Sequence, residues 1–140
     1  MPIVNFHLVD TPANRAGTEA LLRKACALYA EVLGAPLDRI RAFVTLHPAE
    51  MCLVAGELCS GNGQNAPFFD FIVLEGRPLD QRHRLLAGFT ELLVDTLGVE
   101  RSAVRGCCRR VLPEDWAIGG VPASEKRRDE VAARAQASAG

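Results

Sequence analysis

The stretch LGAPLDRIR at residues 33–41 has a counterpart, LGVERSAVR, at residues 97–105. In both stretches a Leu-Gly pair ends a helical pattern of apolar residues, and an apolar residue followed by arginine begins a strand-like run. The offset is 64 residues both from Leu33 to Leu97 and from Arg41 to Arg105. Because one register holds over half of the chain, the sequence indicates an internal duplication.

Each half reads as a βαβ unit. The first half has strand-like runs at Pro2 to Val9 and Ile40 to Leu46, with an amphipathic helix between them from about Glu19 to Leu33. In the second half the strands are Phe68 to Leu74 and Ser102 to Val111, and Gly98 ends the helix between them. We therefore divide the chain into repeats 1–60 and 68–124, a linker 61–67 and a C-terminal tail 125–140. The tail is expected to begin as a solvated, charged helix and to fray in its Ala/Ser/Gly end.

The predicted fold is an α/β (α+β) domain. One βαβ unit offers two parallel strands and one helix, which is too little to bury a core of its own. The two units should therefore pair their strands into a four-stranded sheet with both helices on one face. The other sheet face and the sheet edges would favour oligomerisation.

Composition excludes several classes of function. Among the 140 residues, 49% are hydrophobic and 24% charged, the net charge is −1, and no apolar run is long enough to span a bilayer. We therefore expect no nucleic-acid or membrane partner and, without a secretory signal at the start, a cytoplasmic protein. The five cysteines form no CxxC pair and the three histidines lie far apart, so neither a disulfide framework nor a metal site is predicted.

Four residues are candidates for chemistry. If Met1 is removed, Pro2 gains a free secondary amine, which can act as a general base near neutral pH when nearby cations or burial lower its pKa. Arg77 and Arg105 each offer a planar fork of donors that matches a carboxylate. Trp116, the single tryptophan, could cap an apolar pocket beside them. Taken singly, each also fits an ordinary surface or core position.

Taken together, these residues resemble a known family. Residues 67–124 resemble the short subunit of 4-oxalocrotonate tautomerase through Leu74-Glu75-Gly76-Arg77, Arg105 and the run from Trp116 to Gly120. Residues 2–60 resemble the same subunit, with one extra residue before the helix. Their matches are Ala35-Pro36-Leu37, Arg41, Thr45 and Gly56-Glu57-Leu58. The chain without its tail is thus similar to the fused, two-repeat members of the tautomerase superfamily.

The resemblance implies a role for each candidate. Pro2 matches the amino-terminal proline that moves protons in this family. Arg77 and Arg105 match the arginines that hold substrate carboxylate and carbonyl groups, and Trp116 matches an aromatic residue that lines an apolar pocket. The implied function is cofactor-independent keto–enol tautomerisation of a small acidic substrate, without a metal. Because short members of the family form hexamers, a fused chain is expected to form a homotrimer.

The two repeats depart from the family pattern in different ways. Pro67 matches the catalytic proline, but its nitrogen lies within a peptide bond and is not basic. The first repeat has Pro12 and Cys52 where the second has Arg77 and Trp116. We therefore expect one site per chain, with the base from the first repeat and the arginines from the second, either from one subunit or from different subunits.

Two other kinds of chemistry remain as alternatives. The chain resembles cis-3-chloroacrylic acid dehalogenases in layout, but has Leu74 where they carry an extra arginine and Ala30 where they carry a histidine. It resembles malonate semialdehyde decarboxylases through Asp115-Trp116, but has Glu75 where they carry an arginine and Asp38 one place from their aspartate. A further alternative is a trimeric scaffold or binding module without catalysis.

Overall fold

The computed structural model describes residues 2–139 and contains both predicted repeats. The first repeat consists of β1 (Ile3–Val9), α1 (Pro12–Leu33), β2 (Arg41–His47), a hairpin of β3 (Leu53–Val54) and β4 (Glu57–Leu58), and the short α2 (Cys59–Asn62). The second consists of β5 (Phe68–Leu74), α3 (Leu79–Leu97), β6 (Arg105–Val111), a hairpin of β7 (Ala117–Ile118) and β8 (Val121–Pro122), and the short α4 (Ala123–Lys126). A last helix, α5 (Arg128–Ala139), follows.

The four long strands form one sheet in the order β2-β1-β5-β6. Strands are parallel within each repeat, whereas β1 and β5 are antiparallel, with Ile3 opposite Ile72 and His7 opposite Phe68. The predicted four-stranded fold is therefore confirmed. The antiparallel contact places the start of β1, next to Pro2, beside the end of β5 and the connection that carries Arg77.

The core lies between one face of the sheet and the two long helices. Alternate strand residues point to that face, as the two-residue period of a strand requires. They meet a matching helical face, and the fully or almost fully buried members of both faces are Val4, Phe6, Leu8, Phe69, Phe71, Val73, Leu21, Ala25, Tyr29, Leu85, Phe89 and Leu93. At its centre the ring of Phe89 lies 5.2 Å from those of Tyr29 and Phe71 between centroids. Both helices thus cover the same face, as predicted.

Helix α1 begins at Pro12, whereas the sequence pattern indicated a start near Glu19. The hydroxyl of Thr11 accepts a 3.1 Å hydrogen bond from the backbone nitrogen of Asn14, and Pro12 occupies the first turn, where its missing N–H costs nothing. Asn14 is fully buried. The extra turns were missed because Asn14 and its neighbours interrupt the apolar period, although Thr-Pro is itself a start signal.

The predicted linker is partly ordered by side-chain contacts. Its first residues belong to α2, and the carboxamides of Asn14 and Asn65 exchange two hydrogen bonds of 3.1 Å. The amide of Asn62 also donates to the carbonyl oxygen of Val54 at 2.9 Å. These bonds satisfy buried polar groups and fix the passage from the first repeat to the second.

The tail is helical over Arg128–Ala139 and packs on the domain, whereas the sequence indicated a solvated, fraying end. A Cβ placed on Gly76 would lie 3.5 Å from Cβ of Arg134, and the hydroxyl of Ser138 donates to the carbonyl oxygen of Gly76 at 3.5 Å. Arg39 donates to both carboxylate oxygens of Glu130 at 3.1 and 3.2 Å. Charged contacts, which apolar periodicity does not reveal, hold this helix in place.

No helix within residues 2–139 has both the length and the apolar character needed to cross a membrane.

Candidate active site

Pro2 and Arg77 line the same small cavity. Pro2 is buried at the start of β1, and Arg77 lies in the connection that follows β5. The cavity holds about 20 Å³, and its walls are Pro2, Leu33, Ala35, Arg39, Val73, Leu74, Arg77 and Arg134. The strand order explains this meeting, because the antiparallel pairing of β1 with β5 joins the beginning of the first repeat to the first turn of the second.

Arg77 is half-buried and anchored to the first repeat. Its Nη1 donates a 3.0 Å hydrogen bond to the carbonyl oxygen of Leu33, while its own carbonyl accepts from Nε of Arg82 at 3.3 Å. Burial and, to a smaller extent, the positive charge of Arg134 lower the pKa of the Arg77 guanidinium to about 10. A bound anion would stabilise the charged form of this half-buried guanidinium.

Two further arginines, which the sequence did not indicate as site residues, also line the Pro2 cavity. Arg39 comes from the turn before β2, and Arg134 comes from α5. Glu130 lies between them, 3.1 Å from Arg39 and 3.9 Å from Arg134. The four-residue spacing of Glu130 and Arg134 on one helical face was the available signal. A solvated tail, which the sequence predicts, would keep this pair away from the site.

Trp116 lies beside the Pro2 cavity and does not line it. The tryptophan precedes the β7–β8 hairpin and faces a second cavity of about 460 Å³, whose walls also include Ile3, Arg39 and Arg41. Arg39 lines both cavities. The hairpin is closed by Gly119 and Gly120, with φ angles of 57° and 81° that favour glycine, and it carries the tryptophan toward the Pro2 end of the sheet.

Arg105 lies at the opposite end of the sheet from Pro2 in the same chain. Arg105 pairs with Phe68, and Phe68 lies opposite His7. His7 is five residues along the chain from Pro2, so the two are roughly 17 Å apart at the usual strand rise. Nη1 of Arg105 donates to the backbone carbonyls of Ser102 at 2.7 Å and Val104 at 3.1 Å. Within one chain the structure brings Arg77, but not Arg105, to Pro2.

The other sequence expectations concern Pro67, metal binding and Met1. Pro67 is fully buried, and its carbonyl oxygen accepts from the backbone nitrogen of Arg105 at 3.1 Å, far from Pro2. No group of three or more His, Cys, Asp or Glu residues within 2–139 is arranged to hold a metal ion. Met1 lies outside the described residues, so its removal stays a prediction.

Sequence comparisons connect these residues with known proteins. The model of the family described as "Tautomerase enzyme" matches residues 67–126. Probable tautomerase K2 of Dickeya dadantii (strain 3937) is 36% identical over 63 residues, which are 44% of this chain and 94% of that protein. The 2-hydroxymuconate tautomerase of Comamonas testosteroni is 36% identical over 62 residues, which are 44% of this chain and 98% of that protein.

Structural comparisons extend the similarity to both repeats. The fused 4-OT solved as a wild-type symmetric trimer has a TM-score of 0.74 and 25% identity, covering 86% of this chain and 95% of that one. Native fused 4-OT has a TM-score of 0.79 at 22% identity, covering 88% and 97%. Pt0534 inactivated by 2-oxo-3-pentynoate has a TM-score of 0.80 at 22% identity, covering 89% and 98%. At 22% identity, the last two similarities show a common fold and no more.

Proposed function

Since this chain belongs to the tautomerase family and is an enzyme of the isomerase class, we propose that it interconverts the enol and keto forms of a small carboxylic acid with the Pro2 nitrogen as proton carrier. The observation that carries this proposal is the shared cavity of Pro2 and Arg77, each supplied by a different repeat. A base and an anion-binding cation are the two groups that this reaction needs.

The charges around Pro2 suit a neutral amine. Three guanidinium groups, those of Arg39, Arg77 and Arg134, line the cavity of the buried proline. Nearby cations and burial both disfavour a protonated amine, so the pKa of a freed Pro2 nitrogen would be lowered toward neutrality. In the reaction this nitrogen takes the proton from the enol hydroxyl and delivers it to carbon, while Arg77 holds negative charge on the substrate oxygens. No cofactor is needed for these steps.

Arg105 enters the proposal through assembly. Since Arg105 lies at the far end of the sheet from the Pro2 of its own chain, it can serve a Pro2 site only from a neighbouring chain. A fused 4-OT of the same fold forms a trimer. We therefore propose a homotrimer in which Arg77 is supplied in cis and Arg105 in trans, and in which Trp116 borders the site from the adjoining cavity that Ile3 and Arg39 also line.

Water-adding chemistry is the second candidate, and the Pro2 cavity favours it less. Adding water requires a group that activates the water, and the described lining contains no carboxylate or histidine. Leu74 lines the cavity as an apolar residue. The hydroxyl of Tyr29, beside Ala30, is already used, since it lies 3.1 Å from the carbonyl oxygen of Ile3 and 2.8 Å from that of Ile72.

A comparison of substrates tests the proposed function. We expect faster turnover of 2-hydroxymuconate or phenylenolpyruvate, followed by ultraviolet absorbance, than of cis- or trans-3-chloroacrylate, followed by halide release. Pro2→Ala should lose the enol activity. Faster chloride release would overturn the tautomerase proposal in favour of the dehalogenase alternative, and no turnover of any substrate by processed protein would favour the scaffold.

A further inference from the structure

We infer that a third cavity, which lies between the start of α3 and α5, binds a second carboxylate of the substrate, and that Arg82 and Arg134 select for it. This inference rests on the proposed function, because it gives a binding site to the end of the substrate that lies away from the enol reacting at Pro2. It adds to the site a helix, α5, that lies outside the two repeats.

This cavity of about 560 Å³ adjoins the Pro2 cavity, with which it shares two lining residues. It lies between the start of α3, the connection before it and α5, and its walls include Gly76, Arg77, Gln81, Arg82, Arg110 and Arg134. Arg77 and Arg134 also line the Pro2 cavity, whose roughly 20 Å³ is far smaller than an ordinary ligand site. The larger cavity falls within the usual range for a small-molecule site. A substrate reacting at Pro2 therefore has room for an anionic remainder on the other side of these two arginines.

The charge of this cavity is strongly positive. Its walls contain four arginines and a single acidic residue, Glu75, which is paired with Arg110 at 3.2 Å. Arg82 donates to an uncharged partner, the backbone carbonyl oxygen of Arg77. Arg134 has its nearest carboxylate, Glu130, at 3.9 Å, and that carboxylate is bound more closely by Arg39. Within residues 2–139, Arg82 thus has no carboxylate partner, and Arg134 shares its one carboxylate with Arg39.

Partial burial strengthens the effect of the positive charge in this cavity. The side chain of Arg134 is only 23% exposed, so water screens its charge less than it screens a surface arginine. Partly buried cations without a full complement of carboxylate partners favour an anionic occupant. Guanidinium forks match a carboxylate particularly well.

Two substrates that share an enol-acid end and differ at the other end provide the test. 2-Hydroxymuconate carries a second carboxylate, whereas phenylenolpyruvate carries an uncharged ring. We expect Arg134→Ala and Arg82→Ala each to lower kcat/KM for 2-hydroxymuconate by about 10–100-fold, mainly through KM, since a charged hydrogen bond is lost. For Arg82→Ala, whose side chain does not line the Pro2 cavity, turnover of phenylenolpyruvate should stay within about twofold. Arg134→Ala also removes a cation from the Pro2 cavity, so its loss on 2-hydroxymuconate should exceed its loss on phenylenolpyruvate. Arg128→Ala removes an exposed arginine from the same helix and is the matched control.

Equal losses on both substrates, or no loss on either, would overturn the inference. Because Arg82 and Arg134 come from different helices, agreement between their variants excludes a local folding defect as the cause. A binding measurement separates this inference from the proposed function. Glutarate should raise the Tm of the wild-type protein and of Arg128→Ala but not of Arg134→Ala, whether or not any enol is turned over. An unchanged glutarate response in Arg134→Ala would contradict the inference, whereas absence of enol turnover with this response intact would contradict only the proposed function.

Discussion

The guanidinium of Arg77 donates a 3.0 Å hydrogen bond to the backbone carbonyl oxygen of Leu33, and this bond joins the second repeat to the end of the first repeat's helix. Leu33 and Arg77 both line the cavity of Pro2. The bond holds a half-buried cation beside the proline while leaving its other donors for a ligand. The candidate base of the first repeat and the candidate cation of the second thus meet within a single chain.

The first prediction concerns processing of the N-terminus. Because Pro2 is a small residue and the reaction needs its free amine, intact-mass measurement of protein from cells should show that Met1 is missing. Fully active protein that retains Met1 would remove the Pro2 nitrogen from the mechanism.

The second prediction concerns Arg77. Replacing it with alanine removes a charge-assisted contact to the substrate, so kcat/KM for an enol acid should fall by about 10–100-fold. Arg84→Ala, an exposed arginine on α3, serves as the control and should stay near wild type. An Arg77→Ala enzyme as active as the Arg84→Ala control would show that Arg77 is structural.

The third prediction concerns Arg105 and the chain that uses it. Arg105→Ala should lower kcat/KM by about 10–100-fold, and Arg41→Ala, its first-repeat counterpart, by less. If Arg105 acts across an interface, co-expressing inactive Pro2→Ala and Arg105→Ala chains should restore roughly a quarter of wild-type sites by random assortment in a cyclic trimer. Equal losses at Arg41 and Arg105 would mean that the site belongs to the other half of the chain, and no recovery on mixing would argue against the trans arrangement.

The fourth prediction concerns assembly. The sheet face opposite the helices carries the half-exposed Phe43 and Phe68, which a partner chain could cover. Light scattering should give the mass of a homotrimer at working concentration. A stable monomer would count against both the trimer and any site that takes Arg105 from a neighbour.

The fifth prediction concerns the connection between the repeats. Asn65→Ala leaves the buried carboxamide of Asn14 without both of its 3.1 Å hydrogen bonds to residue 65, which should cost about 1–3 kcal/mol in the free energy of unfolding. Gln64→Ala, at the exposed neighbouring position, should leave that free energy nearly unchanged in a urea titration. Similar unfolding midpoints for the two variants would show that the asparagine pair does not stabilise the fold.

Local patterns were enough to predict the duplication, the four long strands and the two long helices. The alternation of apolar residues in Phe68–Leu74 and the helical spacing before Leu33 and Leu97 depend on which face of an element is buried, and that face is recorded in the sequence. The same patterns could not show that α1 begins at Pro12 or that the tail is ordered. Those features depend on single capping bonds and ion pairs with distant partners, such as Glu130 with Arg39.

The sequence by itself determined that the chain is a fused two-repeat member of its family and that Pro2, Arg77, Arg105 and Trp116 are the candidate residues. Only the tertiary structure decided which of them meet. The antiparallel pairing of β1 with β5 brings Arg77 to Pro2 and carries Arg105 to the far end of the sheet. The packing of α5 adds Arg134, from outside both repeats, to the same cavity. These contacts depend on the order of the strands and on the packing of α5 against distant residues, and the local spacing of apolar residues carries no information about either.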